Sequence, residues 1–174
     1  LKLELGLSVT SLHAVEDVRE GARRILERVR TARAAGLDAL FLGDHHATPR
    51  PYYQNVPMLA RALAQWDAGE GVRPFGALFL LPLWHPVLLA EQVGTLASLG
   101  RGPFVLQCGL GAGARQFAAL GIREGERVRR FEASLAILRR LFAGETVDAP
   151  EGPWAIEGAR IAPPPPEPVA IWIG

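Results

Sequence analysis

The sequence predicts an α/β fold in which a parallel sheet is covered by helices. Three observations predict it. Short runs that are apolar at nearly every position recur along the chain, as strands buried on both faces require. Stretches with apolar residues at steps of three and four separate them. Glycine and proline mark the joins, so the order reads β-α-β-α-β-α-β-α, a polar excursion, and a closing strand.

The first strand is expected over Leu1 to Val9, where Leu3, Leu5, Leu7 and Val9 alternate onto one face. Val15, Val18, Ala22, Ile25 or Leu26, and Val29 then recur at helical spacing, and Gly36 supplies the stop. Leu37 to Leu42 is the second strand. A polar, proline-containing loop from Gly43 to Pro57 leads to a short helix, Met58 to Trp66. The third strand is Arg73 to Leu81. His85-Pro86 opens a helix to about Leu99, with proline in the first turn, where its missing N–H costs nothing.

Phe104 to Cys108 is the fourth strand, and Gly109 to Gly113 a glycine-rich turn. Val128, Phe131, Leu135, Leu138 and Phe142 mark the next helix. Residues 145–168 form a proline-rich excursion with a small hairpin around Trp154, and Val169 to Ile173 is the fifth strand. Two closures fit this order, an open doubly wound sheet and a barrel. Composition and period do not choose between them.

The bulk numbers bound the function. The chain has 174 residues, 49% hydrophobic and 21% charged, which suits a single domain over 1–174. A net charge of +1 argues against nucleic acid as a partner. Cys108 is the only cysteine, so no intrachain disulfide forms, and a cytoplasmic setting is expected. The longest strongly apolar stretch, Ala77 to Leu81, is too short to span a membrane. The first residue is Leu1 and the last, Gly174, follows an apolar run, so both ends read as cut.

In either closure, active sites gather at the C-terminal ends of the strands. Three clusters fall there. Gly43-Asp44-His45-His46 follows the second strand, and its imidazoles and carboxylate suit acid–base work, a polar substrate edge or a metal. Few other ligands stand near strand ends, so no metal is expected, although a metal-dependent barrel hydrolase is a further reading. Pro82-Leu83-Trp84-His85-Pro86 follows the third strand, with His85 and Trp84 read first as helix-start and packing residues. Gly109-Leu110-Gly111-Ala112-Gly113 follows the fourth, where glycines let backbone approach a flat ring or a phosphate. It lacks the dinucleotide spacing, and Cys108 before it reads as a small buried hydrophobe.

Taken in order, these stretches resemble the bacterial luciferase-like monooxygenases. The resemblance runs through Ala35-Gly36-Leu37-Asp38-Ala39-Leu40-Phe41-Leu42-Gly43-Asp44-His45-His46 and then Leu80 to Gln92. It continues through Phe104 to Gly111 and Phe117 to Gly121, and ends at Ile171-Trp172-Ile173-Gly174. It implies a TIM-type (β/α)₈ barrel of which this chain holds the first five strands. It implies a monooxygenase using reduced FMN and O₂ on a small organic substrate, or a deazaflavin-dependent reductase or dehydrogenase of the same fold.

By position, His45 matches the family's catalytic base, with Asp44 beside it in place of the luciferase Glu. Ala77 and Leu78 match bulged third-strand positions behind the flavin ring, often joined by a cis peptide. Gly109, Leu110 and Gly111 match the strand end beside the cofactor, Leu110 standing where luciferase has a phosphate-binding arginine. The resemblance also implies a homodimer through the helices Val56–Trp66 and His85–Leu99, and a separate flavin reductase as partner. A non-catalytic, truncated paralogue that only binds or dimerises is the rival reading. Since five strands cannot close an eight-stranded barrel, residues 1–174 alone are expected to bind flavin weakly and to associate.

Overall fold

The computed structural model describes residues 3–174. Its sheet contains β1 (Gly6–Val9), β2 (Ala39–Leu42), β3 (Phe75–Leu80), β4 (Phe104–Gly109) and β7 (Ala170–Ile173), all parallel and side by side in that order. The connections carry α1 (Val18–Ala34), α2 (Asn55–Trp66), α3 (Pro86–Leu99), α4 (Ala114–Ala119) and α5 (Arg127–Phe142). A two-stranded antiparallel hairpin, β5 (Val147–Ala149) with β6 (Ile156–Ala159), occupies the excursion before β7, with Trp154 in its connection.

The two faces of the sheet differ. Leu40, Leu42, Phe75, Ala77, Phe79, Leu106 and Cys108 are fully covered, and successive strands place them in register beneath the helices. The opposite face carries Ser8, Phe41, Gly76, Leu78, Gln107 and Trp172. It is open in part: Trp172 is 52% exposed and Leu78 and Gln107 are half-buried. Phe41 and Trp172 meet over this face with ring centroids 5.4 Å apart. They close over β3 and β4, where Gly76 leaves room. A Cβ on Gly76 would lie 2.0 Å from the Val105 carbonyl oxygen.

Several boundaries move from their sequence positions. The first strand begins at Gly6; Leu3 and Leu5 before it are 79% and 54% exposed, and Leu1 lies outside the described residues. Leu5 is held instead by Asp38, which accepts its N–H at 2.9 Å through Oδ2 and donates its own N–H to the Leu5 carbonyl. α1 starts at Val18 because Asp17 caps it, accepting the Arg19 N–H at 2.8 Å. α2 starts at Asn55, whose amide donates to the Leu78 carbonyl at 2.7 Å and so ties the helix to mid-β3.

The bulge implied at Ala77 and Leu78 is absent. The β3–β4 ladder runs without a register break from Phe75–Phe104 to Leu80–Gly109. Among the described residues the one cis peptide is Ala162–Pro163, so the Ala77–Leu78 bond is trans. The apolar residues of α2 and α3, the helices expected to form a dimer face, are largely used inside the chain. Leu59, Leu63, Leu89, Val93 and Leu96 are buried, because α3 packs on the sheet and α5 and is crossed by the proline run at Gly94. Leu88 and Leu99 of α3 are strongly exposed, at 56% and 58%.

Candidate functional site

All five strands are parallel, so the segments after Val9, Leu42, Leu80 and Gly109 open at one end of the sheet. His45 and Gly109 therefore share that end. Asp44 anchors the segment after β2. Its side chain is fully buried, and Oδ2 accepts two hydrogen bonds, from the Leu80 N–H at 2.9 Å and the Trp84 indole N–H at 2.8 Å. One carboxylate thus ties the end of β2 to the turn Leu81–Leu83 that follows β3.

The second carboxylate oxygen faces His46, with Nε2 of that ring 3.1 Å from Oδ1. Neither atom makes a hydrogen bond, and both are buried. The His46 ring stands edge-on to Trp84 at 5.7 Å, and Trp84 stands edge-on to Phe79 at 5.2 Å. Ala47 follows with φ 52°, a left-handed conformation that turns the chain directly after the two histidines.

His45 is placed differently. It is exposed, its ring rests against Tyr52 at 5.8 Å, and its carbonyl accepts from Gln54 Nε2. Tyr52 lies at the same rim, held by a bridge to Leu12. Burial and the neighbouring Asp44 carboxylate push its hydroxyl up to about 12, so it stays a neutral donor. His45 and His46 line a pocket of about 110 Å³ with Thr48, Ala112, Gly113, Arg115 and Gln116. Gln116 is buried, and its Oε1 lacks a partner.

The glycine turn after β4 supplies the other wall. Gly111 and Gly113 have φ 70° and 98°, which a side chain would strain. Gly109 lies lower, where an added Cβ would come 3.1 Å from Leu80 Cδ2 and 3.4 Å from Leu78 Cδ1. The pocket beside His45 is closed by the later residues of this turn, not by Gly109 itself. Leu110 is 38% exposed.

Of the two third-strand positions, only Leu78 presents its side chain on the open face. Ala77 pairs with Leu42 and Leu106 on the helix-covered face, so only its backbone borders the open side. His85 and Cys108 are away from the rim chemistry. His85 packs on Trp154 of the hairpin at 5.1 Å, and burial followed by the Arg130 charge lowers its pKa. Cys108 is buried under the helices, with its thiol pushed up to about 12 by burial. Among the described residues no group of three His, Cys, Asp or Glu side chains has metal-ligand proximity. No described helix is long and apolar enough to cross a membrane.

Asn55, Tyr52 and Gln116 escaped the sequence reading. Each acts across the fold, and the only sequence signal for them is a polar residue near a helix start or strand end.

A five-stranded parallel sheet, helices over one face, and polar segments gathered at the strand C-termini define part of a (β/α) barrel with its mouth at His45 and Gly111. The sequence profile of the luciferase-like monooxygenase family matches residues 3–174, and the chain belongs to that family. Among curated proteins it is 27% identical over 147 residues to limonene 1,2-monooxygenase of Rhodococcus erythropolis, covering 84% of this chain and 38% of the relative. It is 29% identical over 156 residues to the F420-dependent glucose-6-phosphate dehydrogenase of Beutenbergia cavernae, covering 87% and 46%.

Among solved structures it resembles the oxygenating constituent of 3,6-diketocamphane monooxygenase from Pseudomonas putida, in complex with FMN. There the TM-score is 0.75 at 22% identity, over 90% of this chain and 44% of that one. An F420-dependent secondary alcohol dehydrogenase, in complex with an F420–acetone adduct, gives a TM-score of 0.79 at 16% identity, over 99% and 52%. The chain spans less than half the length of the curated relatives named here. The family is one of monooxygenases; of the similar proteins named above, one is in complex with FMN and two are F420-dependent.

Proposed function

We propose that this chain forms the His45-bearing half of a flavin-dependent monooxygenase acting on a small organic substrate with reduced FMN and O₂. The carrying observation is the family match over residues 3–174 together with an acid–base segment at the rim of an apolar face. A flat ring fits the residues present. Leu78 and Trp172 offer apolar surface, and the glycines after β4 let a ring edge approach the backbone. Backbone at Ala77, the Leu78 side chain and the Gly109-Leu110-Gly111 turn would hold it. When bound, the cofactor supplies the redox chemistry that no side chain here provides.

His45, exposed beside the pocket, is the acid–base group offered to the substrate, and Asp44 fixes the loop that presents it. Gln116 Oε1 provides an acceptor at the opposite wall. To the same reading belong a cytoplasmic setting, a separate flavin reductase, and a homodimer to which α2 and α3 offer Leu88, Leu99 and the half-buried Met58 as uncovered apolar groups.

A deazaflavin-dependent dehydrogenase is the second reading, favoured by the F420-dependent relatives. The product of the complete reading frame, titrated separately with FMN and with F420, should quench the fluorescence of one of them saturably. His45→Ala should keep that binding and lower turnover roughly 10²–10⁴-fold. Quenching of neither cofactor would end both readings.

A further inference from the structure

We infer that Asp44 acts on His46 rather than on His45, holding His46 in the Nε2–H tautomer. Nδ1 is then left as a hydrogen-bond acceptor for an N–H or O–H group in the adjoining pocket. The argument starts from two orphaned atoms. Asp44 Oδ1 and His46 Nε2 are both buried, neither makes a hydrogen bond, and they lie 3.1 Å apart. A buried polar atom left unpaired has lost its hydration with nothing in return. At 3.1 Å a bare Nε2 would set its lone pair against the carboxylate oxygen, so the ring proton belongs on Nε2.

The carboxylate has no freedom to turn away. Its Oδ2 is fixed by the Leu80 amide and the Trp84 indole, and Trp84 also packs edge-on against the His46 ring. The imidazole is thereby held in place by the same carboxylate and indole that hold each other. A buried carboxylate on one ring nitrogen sets what the other nitrogen can do. His46 lines the pocket with Thr48, Gln116 and the Ala112-Gly113 turn, and its side chain is 17% exposed. Nδ1 is the nitrogen that remains for a ligand there. Among the described residues no carboxylate is paired with His45: its ring lies against Tyr52, and its neighbour's carboxylate is already committed.

This reading deepens the proposed function by giving the pocket a defined acceptor, and it rests on that function only for the identity of the occupant. The test needs no cofactor. In long-range ¹⁵N–¹H spectra of the ¹⁵N-labelled chain near pH 8, His46 should appear as the Nε2–H tautomer with Nδ1 bare. His45 should show the mixture of an unconstrained imidazole.

Asp44→Asn should then invert His46. The amide oxygen keeps the two donors from Leu80 and Trp84, and the amide N–H₂ donates to Nε2, moving the ring proton to Nδ1. An Nδ1–H tautomer in the unsubstituted chain overturns the inference even if the variant does not fold. So does an Asp44→Asn variant that folds and leaves His46 unchanged. Failure of either cofactor titration would bear on the proposed function and leave this result standing.

Discussion

The carboxylate of Asp44 and the indole of Trp84, forty residues apart in the chain, meet through a 2.8 Å hydrogen bond beneath the rim of the sheet. That bond joins the two loops that carry the site's polar and aromatic residues. It also explains a tryptophan at a position where sequence alone suggests only packing. Trp84 fills the space between Phe79 and His46 and directs its one donor to the buried carboxylate.

Removing the carboxylate should therefore cost more than removing the indole. Asp44→Ala strands the Leu80 amide and the Trp84 indole donors, at about 1–3 kcal/mol each, so about 2–6 kcal/mol of stability should be lost. Trp84→Phe removes one donor together with its partner interaction and keeps an aromatic ring, so its cost should be about half as large. Urea midpoints of the two variants measure this. Equal losses would mean that packing, not the carboxylate, holds the loops.

Glycine contacts give a second, sharper contrast. Gly76→Ala drives a methyl to within 2.0 Å of the Val105 carbonyl, and backbone between two central strands cannot move aside. The loss should be at least about 2 kcal/mol. Gly94→Ala meets the Pro163 carbonyl at 2.3 Å and should loosen the proline run from α3. Gly125 is exposed with nothing within 4 Å of an added Cβ, so Gly125→Ala should stay within about 0.5 kcal/mol. Thermal unfolding of the three variants in parallel ranks them.

These contrasts mark how far the sequence reaches. The strands at Leu37–Leu42 and Phe104–Cys108 stand out because apolar runs bounded by glycine have few other uses. Asp44, His45 and His46 are visible as a cluster at a strand end for the same reason. Which face a residue takes is another matter. Phe75 to Leu80 is apolar throughout, so no alternation tells Ala77 from Leu78, and only the register with Leu106 and Gln107 separates them. The apolar excess on α3 invites a partner chain, yet its cover includes Pro163, some seventy residues downstream. The pairing of Asp44 with Trp84 is equally non-local, and nothing in either residue's neighbours encodes it.

Two histidines should make the fold acid-sensitive. Burial, then Arg130, lowers the pKa of His85; burial, then Arg28, lowers that of His13. Each stays neutral in the folded chain at pH values where the unfolded chain, with an ordinary value of 6.5, already binds a proton. The unfolded state then carries more protons, so stability rises with pH across this window and is level above it. The urea midpoint should fall as pH drops from about 7 to below 6. His85→Phe should flatten part of that slope while keeping contact with Trp154. A midpoint independent of pH over this range would show that both rings take up protons without cost in the folded state.

The sheet's two outer strands make the last prediction. β1 and β7 each pair on one side only, so both present free N–H and C=O groups. Apolar side chains stand beside them: Ile173 is 61% exposed and Trp172 52%. Grooves flank both edges, one between β1 and α1 lined by Leu7, Val9, Arg28 and Thr31, the other between β7 and α5 lined by Phe142, Pro165 and Ile171. Unpaired parallel edges of this kind recruit other strands. Residues 1–174 expressed alone should therefore sediment as oligomers at micromolar concentration. Ile173→Lys places a charge on one edge and should shift the distribution toward monomer, whereas Leu88→Lys on α3 should not if the edges dominate. Trp172 emission reports the same event, because an indole half-open to water should shift blue as edges pair, with Trp66, at 1% exposure, as the buried reference. A monomer with unshifted Trp172 emission at all concentrations would mean that the β1 and β7 edges do not drive association.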